Sequence, residues 1–200
     1  MTRSTMALRT AAAVALTATS LTLSASAGAD PDTCNPVDGT ANSCAGQPMQ
    51  TWPLAQGDFT SPGDPGWIYF KPFFYPAGYT GSKADAARAE QYGCGIGPDG
   101  TVGCDHVPSD PWQGSGPGCG DLRCPPPPPG ANQTVAGPQQ PGQYVQSPVA
   151  TFTRNVGDLP QGYRLANGDA WCAVGYQGSL TCNSGANGFT LAWWGGSLRP

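Results

Sequence analysis

Three kinds of side chain in this sequence carry the reactivity that chemistry needs: eight cysteines, a single histidine (His106) and thirteen carboxylates. A cysteine can be a nucleophile, a metal ligand or half of a disulfide, and spacing and compartment decide among these. Six of the eight form three consecutive pairs, Cys34 with Cys44, Cys94 with Cys104 and Cys172 with Cys182, each with nine residues between; Cys119 and Cys124 enclose four. No two cysteines have the two-residue spacing common in zinc sites, and one histidine cannot complete a set, so neither metal nor cofactor is expected. Nucleophilic catalysis by serine needs a histidine base and an orienting acid. Only His106 is available as base, its neighbour Asp105 belongs to a cysteine repeat, and Gly114-Ser115-Gly116 merely approaches the nucleophile-elbow pattern. A lone histidine after a strand reads as a surface residue, and a cysteine nucleophile would need one cysteine left unpaired. Glu90, with Asp85 and Lys83, reads as the solvated face of a helix rather than half of a glycosidase pair. Asp38, Asp99 and Asp169 sit beside glycine, where the side chain serves a turn. No catalytic residue is assigned.

The first 29 residues read as a secretory signal: Arg3 and Arg9, an apolar run over about residues 11–23, then small residues that fit cleavage near Ala27 or Ala29. The run is too short to span a bilayer, so the mature chain is expected without a transmembrane segment. Export places every cysteine in an oxidising compartment, which favours a disulfide framework. Removing Arg3 and Arg9 leaves seven bases against thirteen acids. That balance argues against nucleic acid as a partner, because no basic patch neutralises phosphates.

Four of the cysteines lie in a repeat: Cys94-Gly-Ile-Gly-Pro-Asp-Gly-Thr-Val-Gly-Cys104-Asp105 aligns without gaps on Cys172-Ala-Val-Gly-Tyr-Gln-Gly-Ser-Leu-Thr-Cys182-Asn183. In each copy a three-residue loop, 98–100 or 176–178, puts Gly100 or Gly178 where a left-handed residue closes a type I turn. Counting back from the turn makes 97/101 and 95/103 hydrogen-bonded pairs and 96/102 and 94/104 the closer, non-hydrogen-bonded ones. Cross-strand cysteines need that closeness, so each copy predicts a disulfide-locked hairpin. Period two gives each hairpin one apolar face: Cys94, Ile96, Val102 and Cys104, and Cys172, Val174, Leu180 and Cys182. The opposite face of the first is mostly Gly95, Gly97 and Gly103, open to close approach by another backbone or a flat ring, with the aromatic segment 67–75 as the candidate cover.

The expected fold is mostly β, a small α+β protein of two disulfide-locked hairpins or meanders and one short helix, joined by a Pro/Gly-rich connector. The divisions are a signal peptide (1–29), an N-terminal cysteine-paired segment (30–58), a first hairpin unit with aromatic segment and helix (59–107), the connector with its small cysteine loop (108–150) and a second hairpin unit (151–200). The aromatic segment reads as one or two strands broken at Pro72. The helix runs from Ser82, as N-cap, to Tyr92. The connector holds 11 of the 22 prolines and few aliphatic residues, so it is expected extended or polyproline-like. Strands near 162–165, 170–174, 179–182 and 189–193 form a meander with a tight turn at Asn167-Gly168. Whether the two hairpins share one sheet is open.

Phe59-Thr-Ser-Pro62, Cys94-Gly-Ile96 and Gly100-Thr-Val102-Gly-Cys104-Asp105 resemble the first half of exported, cysteine-paired actinobacterial proteins of mycobacterial type, a group of unknown function. Leu159-Pro-Gln-Gly162-Tyr-Arg-Leu165, Gly168, Cys172, Gly178, Cys182 and Gly188-Phe-Thr-Leu191 are similar to their second half. The resemblance implies export and disulfides and carries over no catalytic residue. The segment between Pro62 and Cys94 and the long connector depart from the pattern.

These features point to a secreted or cell-envelope protein without catalysis that binds or scaffolds an extracytoplasmic ligand or protein. Its candidate contact residues are Trp67, Tyr69, Phe73, Trp193 and Trp194, since aromatic faces stack on sugars or apolar groups, although a glycine-rich chain must also build its core from such rings. An extracellular hydrolase is the alternative. A third reading is a protease inhibitor that presents Leu122-Arg123 on the Cys119–Cys124 loop.

Overall fold

A computed structural model describes residues 48–108, 126–175, 178–192 and 195–199. The signal segment, Cys34, Cys44, Cys119, Cys124, Trp193 and Trp194 lie outside the described residues. The chain runs from a 3-10 turn (Met49–Thr51) through β1 (Ile68–Phe73), α1 (Ser82–Ala89), β2 (Cys94–Ile96) and β3 (Val102–Cys104). It continues through β4 (Gln133–Gly137), β5 (Gln140–Val145), β6 (Asp158–Pro160), β7 (Arg164–Asn167), β8 (Ala170–Val174), β9 (Leu180–Ser184), β10 (Asn187–Ala192) and β11 (Gly195–Arg199). Two sheets result, ordered β5-β4-β3-β2-β1-β6 and β11-β10-β9-β8-β7, so the fold is mostly β with one described helix and the two hairpins fall in different sheets. Every pairing of named strands is antiparallel except β1 with β6.

Both cysteine hairpins form in the expected register, Cys94 opposite Cys104 and Cys172 opposite Cys182, with Cα atoms 4.0 and 4.1 Å apart and both disulfides closed. The backbone bonds Gly97 N to Thr101 O (2.7 Å) and Asp105 N to Gly93 O (2.9 Å) flank the first pair, which leaves 94/104 as the close position. Gly100 (φ 84°) and Gly178 (φ 76°) take the left-handed conformation that the turns require. Across the first sheet an inward row reads Phe70, Cys94, Cys104, Thr134, Tyr144; across the second it reads Leu165, Cys172, Cys182, Phe189, Leu198. These rows meet in one hydrophobic core that contains both disulfides, each fully buried.

The outward row of the first sheet, Tyr69, Gly95, Gly103, Val135, has a two-glycine gap. Rings fill it. Trp67 stacks on Tyr69 (5.6 Å, 11° between planes) and lies over Gly97, while Phe152 sits on Gly95 and Gly103. The aromatic segment thus covers the glycine face as its composition suggests, with Phe152 as an unforeseen third ring. Asp105 anchors it: its carboxylate accepts the backbone N–H groups of Thr151, Phe152 and Thr153 (2.7–2.8 Å), the Thr153 hydroxyl (2.7 Å) and the Gln133 side-chain amide (2.7 Å). Three successive N–H groups converging on one carboxylate form an anion-holding nest. The second hairpin is covered in parallel fashion, Trp52 and Met49 packing on Ala173 and Trp171.

Several expectations are corrected. The extended connector holds for none of residues 133–137 and 140–145, which form a hairpin added to the edge of the first sheet. A composition rule counts apolar side chains, but a hairpin that joins an existing sheet needs only ladder bonds and one buried face, here Thr134, Ala136 and Tyr144. Asn187, from the other sheet, donates to the carbonyls of Gly137 and Pro138 and fixes its turn. Pro72 does not break β1, because the strand changes partner there: residues 68–70 pair with β2 and residues 71–73 with β6. Ser82 is inside the helix rather than its cap; Gly81 precedes it and provides no side-chain cap. The helix also ends early, at Ala89, since Gln91 turns away to donate to Pro72 O (3.2 Å) and Asp158 (2.9 Å).

Candidate functional site

The hairpin register does not stop at the disulfide. Cys94 faces Cys104 and Gly93 bonds Asp105, so one step further Tyr92 falls opposite His106. Their rings stack at 4.2 Å with planes 7° apart. The step from helix to hairpin delivers Tyr92 here, and the Thr134 hydroxyl donates to the His106 carbonyl (2.7 Å), tying the residue to β4.

This stacked pair lines a cleft of about 520 Å³ with Phe74 and Tyr75 after β1, Ala87, Glu90 and Gln91 of the helix and its exit, Gly178, and Leu191 and Ala192 at the end of β10. Ala87 lies in the last turn of the helix, Glu90 is its C-cap and Gln91 follows, so the helix exit supplies this wall of the cleft. The volume lies in the range of small-molecule sites, and the lining follows their pattern: mostly ring and aliphatic surface with a few polar groups. Tyr79 stacks on Tyr75 at 4.5 Å.

The electrostatics of the cleft are one-sided. Glu90 is the one acid among the described lining residues, and burial pushes the His106 imidazole below its ordinary value and so keeps it neutral. Burial raises the Tyr92 phenol, which therefore stays protonated. The nearby cation Arg88 is committed elsewhere: its Nε donates to Asp158 (3.0 Å) and its guanidinium lies over the Phe73 ring (4.4 Å). Among the described residues no group of three potential metal ligands occurs.

The sequence candidates are distributed differently from expectation. His106 is not an exposed surface residue; it is half-buried against Tyr92. Asp105 is adjacent in sequence, but its oxygens are occupied by the 151–153 backbone and Gln133, on the opposite side of the hairpin. Tyr69 and Phe73, offered as binding residues, are 3% and 2% exposed and hold the molecule together instead. Trp67 is half-buried, stacked on Tyr69 and tilted on Phe152 (6.2 Å). Trp193 and Trp194 lie outside the described residues, next in the chain to Ala192 of the lining. Sequence reasoning missed Tyr92, although the cysteine register extended by two residues identifies it as the partner of the sole histidine.

Comparisons with protein-family models, with curated proteins and with solved structures find no match. What the cleft does is therefore argued from its own residues.

Proposed function

We propose that this is an exported, disulfide-stabilised protein of the cell envelope or extracellular space that binds a ligand without turning it over, and that the cleft beside Tyr92 and His106 is its binding site. We further propose that it belongs with the exported, cysteine-paired actinobacterial proteins that its two halves resemble. Two buried disulfides support the compartment, since such bonds persist where the surroundings are oxidising. The cleft carries the functional reading. Phe74, Tyr75, Tyr92 and His106 present ring surface to a cavity of ligand size, whereas Tyr69 and Phe73 are spent on the core. His106 faces the cavity without Asp105, the acid that would make it a base, which favours binding over hydrolysis.

The test is retention on isolated cell envelope. Ala87→Trp introduces an indole from a half-buried helix position into the cavity and removes no existing contact surface. Retention should fall at least about tenfold while the disulfide map and melting temperature stay those of wild type, on the order of what losing one well-packed ring contact costs a binding site. Unchanged retention would refute the cleft as the site. Hydrolysis of ester or glycoside substrates that His106→Ala abolishes would replace binding by catalysis.

A further inference from the structure

The cleft is built with its one charge at an unfavourable place. Glu90 is the C-cap of α1, directly after its last residue Ala89, and the carbonyl end of a helix carries partial negative charge, so an acid there stands against the local field. Natural sequences break such local preferences chiefly where function compensates. Here the carboxylate and the helix-end carbonyls add to a negative potential on the rim of a cavity whose remaining lining is uncharged. Arg88, the basic residue of the last turn, does not neutralise it, being paired with Asp158 and stacked on Phe73. The rings of Phe74, Tyr75 and Tyr92 in the lining act in the same direction where a face is left free, one face of Tyr75 being stacked on Tyr79 and one of Tyr92 on His106, since the ring quadrupole attracts cations. The whole chain carries net charge −4, which draws cations toward any such site. About 520 Å³ is far more than an ammonium group fills, and Ala87, Leu191 and Ala192 offer apolar wall for a body attached to it.

On the reading of the cleft as a binding site, we propose that its ligand is an amphipathic organic cation: an apolar or aromatic body packed between Phe74, Tyr92 and Leu191, with a positively charged nitrogen held at the Glu90 rim. The recognised chemistry is the alkylammonium group, whether on a free small molecule or on a lysine side chain of a partner.

Two probes with the same body and different heads test this. Calorimetric titration of the whole mature protein with 2-phenylethylammonium and with 2-phenylethanol should give about tenfold tighter binding of the ammonium probe. Glu90→Gln, a surface change that leaves the fold intact, should bring the two affinities within about twofold, and Ala87→Trp should abolish both. Competition of the ammonium probe by N-acetyl-lysine amide, but not by the free small amine methylammonium, would assign the site to a lysine side chain; competition by both would assign it to small amines generally. Equal binding of the two probes in wild type, or a preference that survives Glu90→Gln, overturns the charge inference while loss in Ala87→Trp still upholds the cleft. Binding of neither probe overturns the cation inference outright. If Ala87→Trp also leaves envelope retention unchanged, the cleft reading falls with it.

Discussion

Replacing Gly103 by alanine tests the packing that holds the first sheet to its cover. A Cβ at this position would fall within contact of three atoms of the Phe152 ring, 2.5 Å from Cε2 and 2.8 Å from Cε1, where ordinary contact begins near 3.4 Å. Phe152 is 3% exposed, so its ring has no free space to rotate into, and its backbone N–H is bonded to Asp105 at 2.8 Å, so the backbone cannot shift to carry the ring away without breaking that anchor. Overpacking of this kind costs about 1–3 kcal/mol, and the rigid anchor puts the expectation near the upper end, roughly 3 kcal/mol. Phe152→Ala removes the ring and costs about 3–5 kcal/mol by itself. In that background the clash is gone, and the same Gly103→Ala change should be neutral or stabilising by about 0.4–1 kcal/mol, because alanine lowers the entropy of the unfolded chain. The cycle therefore predicts a coupling of about 3–4 kcal/mol, well beyond the few tenths expected for independent sites. Urea denaturation of the four proteins with disulfides intact measures it. A Gly103→Ala cost below about 0.5 kcal/mol in wild type, or the same cost in both backgrounds, would refute the view that this glycine exists to admit the ring.

Asp105→Ala leaves three successive N–H groups without their acceptor and should cost on the order of 3 kcal/mol, with hydrogen exchange at residues 151–153 rising far more than in β8 and β9. Replacing Cys94 and Cys104 together by alanine opens a closure of sequence separation 10 and should lower stability by about 2.7 kcal/mol on the chain-entropy account, measured by the same denaturation assay. The burial that depresses His106 makes the folded state bind fewer protons than the unfolded chain, so its contribution is complete above the ordinary value of 6.5 and is lost as pH falls through the lowered one. The urea midpoint should accordingly decline on acidification below about pH 6.5, and His106→Gln should flatten that slope; an unaltered slope would show the histidine is not its source. Limited proteolysis should spare residues 133–145, whose hairpin is paired into the sheet, and an early cut there would contradict that pairing.

Much of the framework was legible in the residues because it is governed by local rules. The nine-residue cysteine spacing, the left-handed glycine at 100 and 178 and period-two alternation together determine a turn, a register and a face, and all three appear as expected. The glycine row likewise announced that a backbone or a flat ring must lie on it, with the aromatic segment as the candidate, because a strand without side chains can satisfy its outer face only with groups borrowed from elsewhere. Even the Tyr92–His106 stack was within reach, since it follows from carrying a known register two residues further. What sequence could not supply were decisions made between distant segments. That residues 133–145 join the sheet depends on a free edge at β3 and on Asn187 reaching across from the other sheet, neither of which is a property of that segment's composition. Whether an aromatic ring is core or surface is likewise a matter of what lies opposite: Tyr69 and Phe73 are covered, while Tyr75, two residues beyond Phe73, lines the cleft. The cleft itself exists only where a helix end, a hairpin stem and the end of β10 come together. Local chemistry chose the strands and staples, and long-range packing chose which side chains were left free to bind.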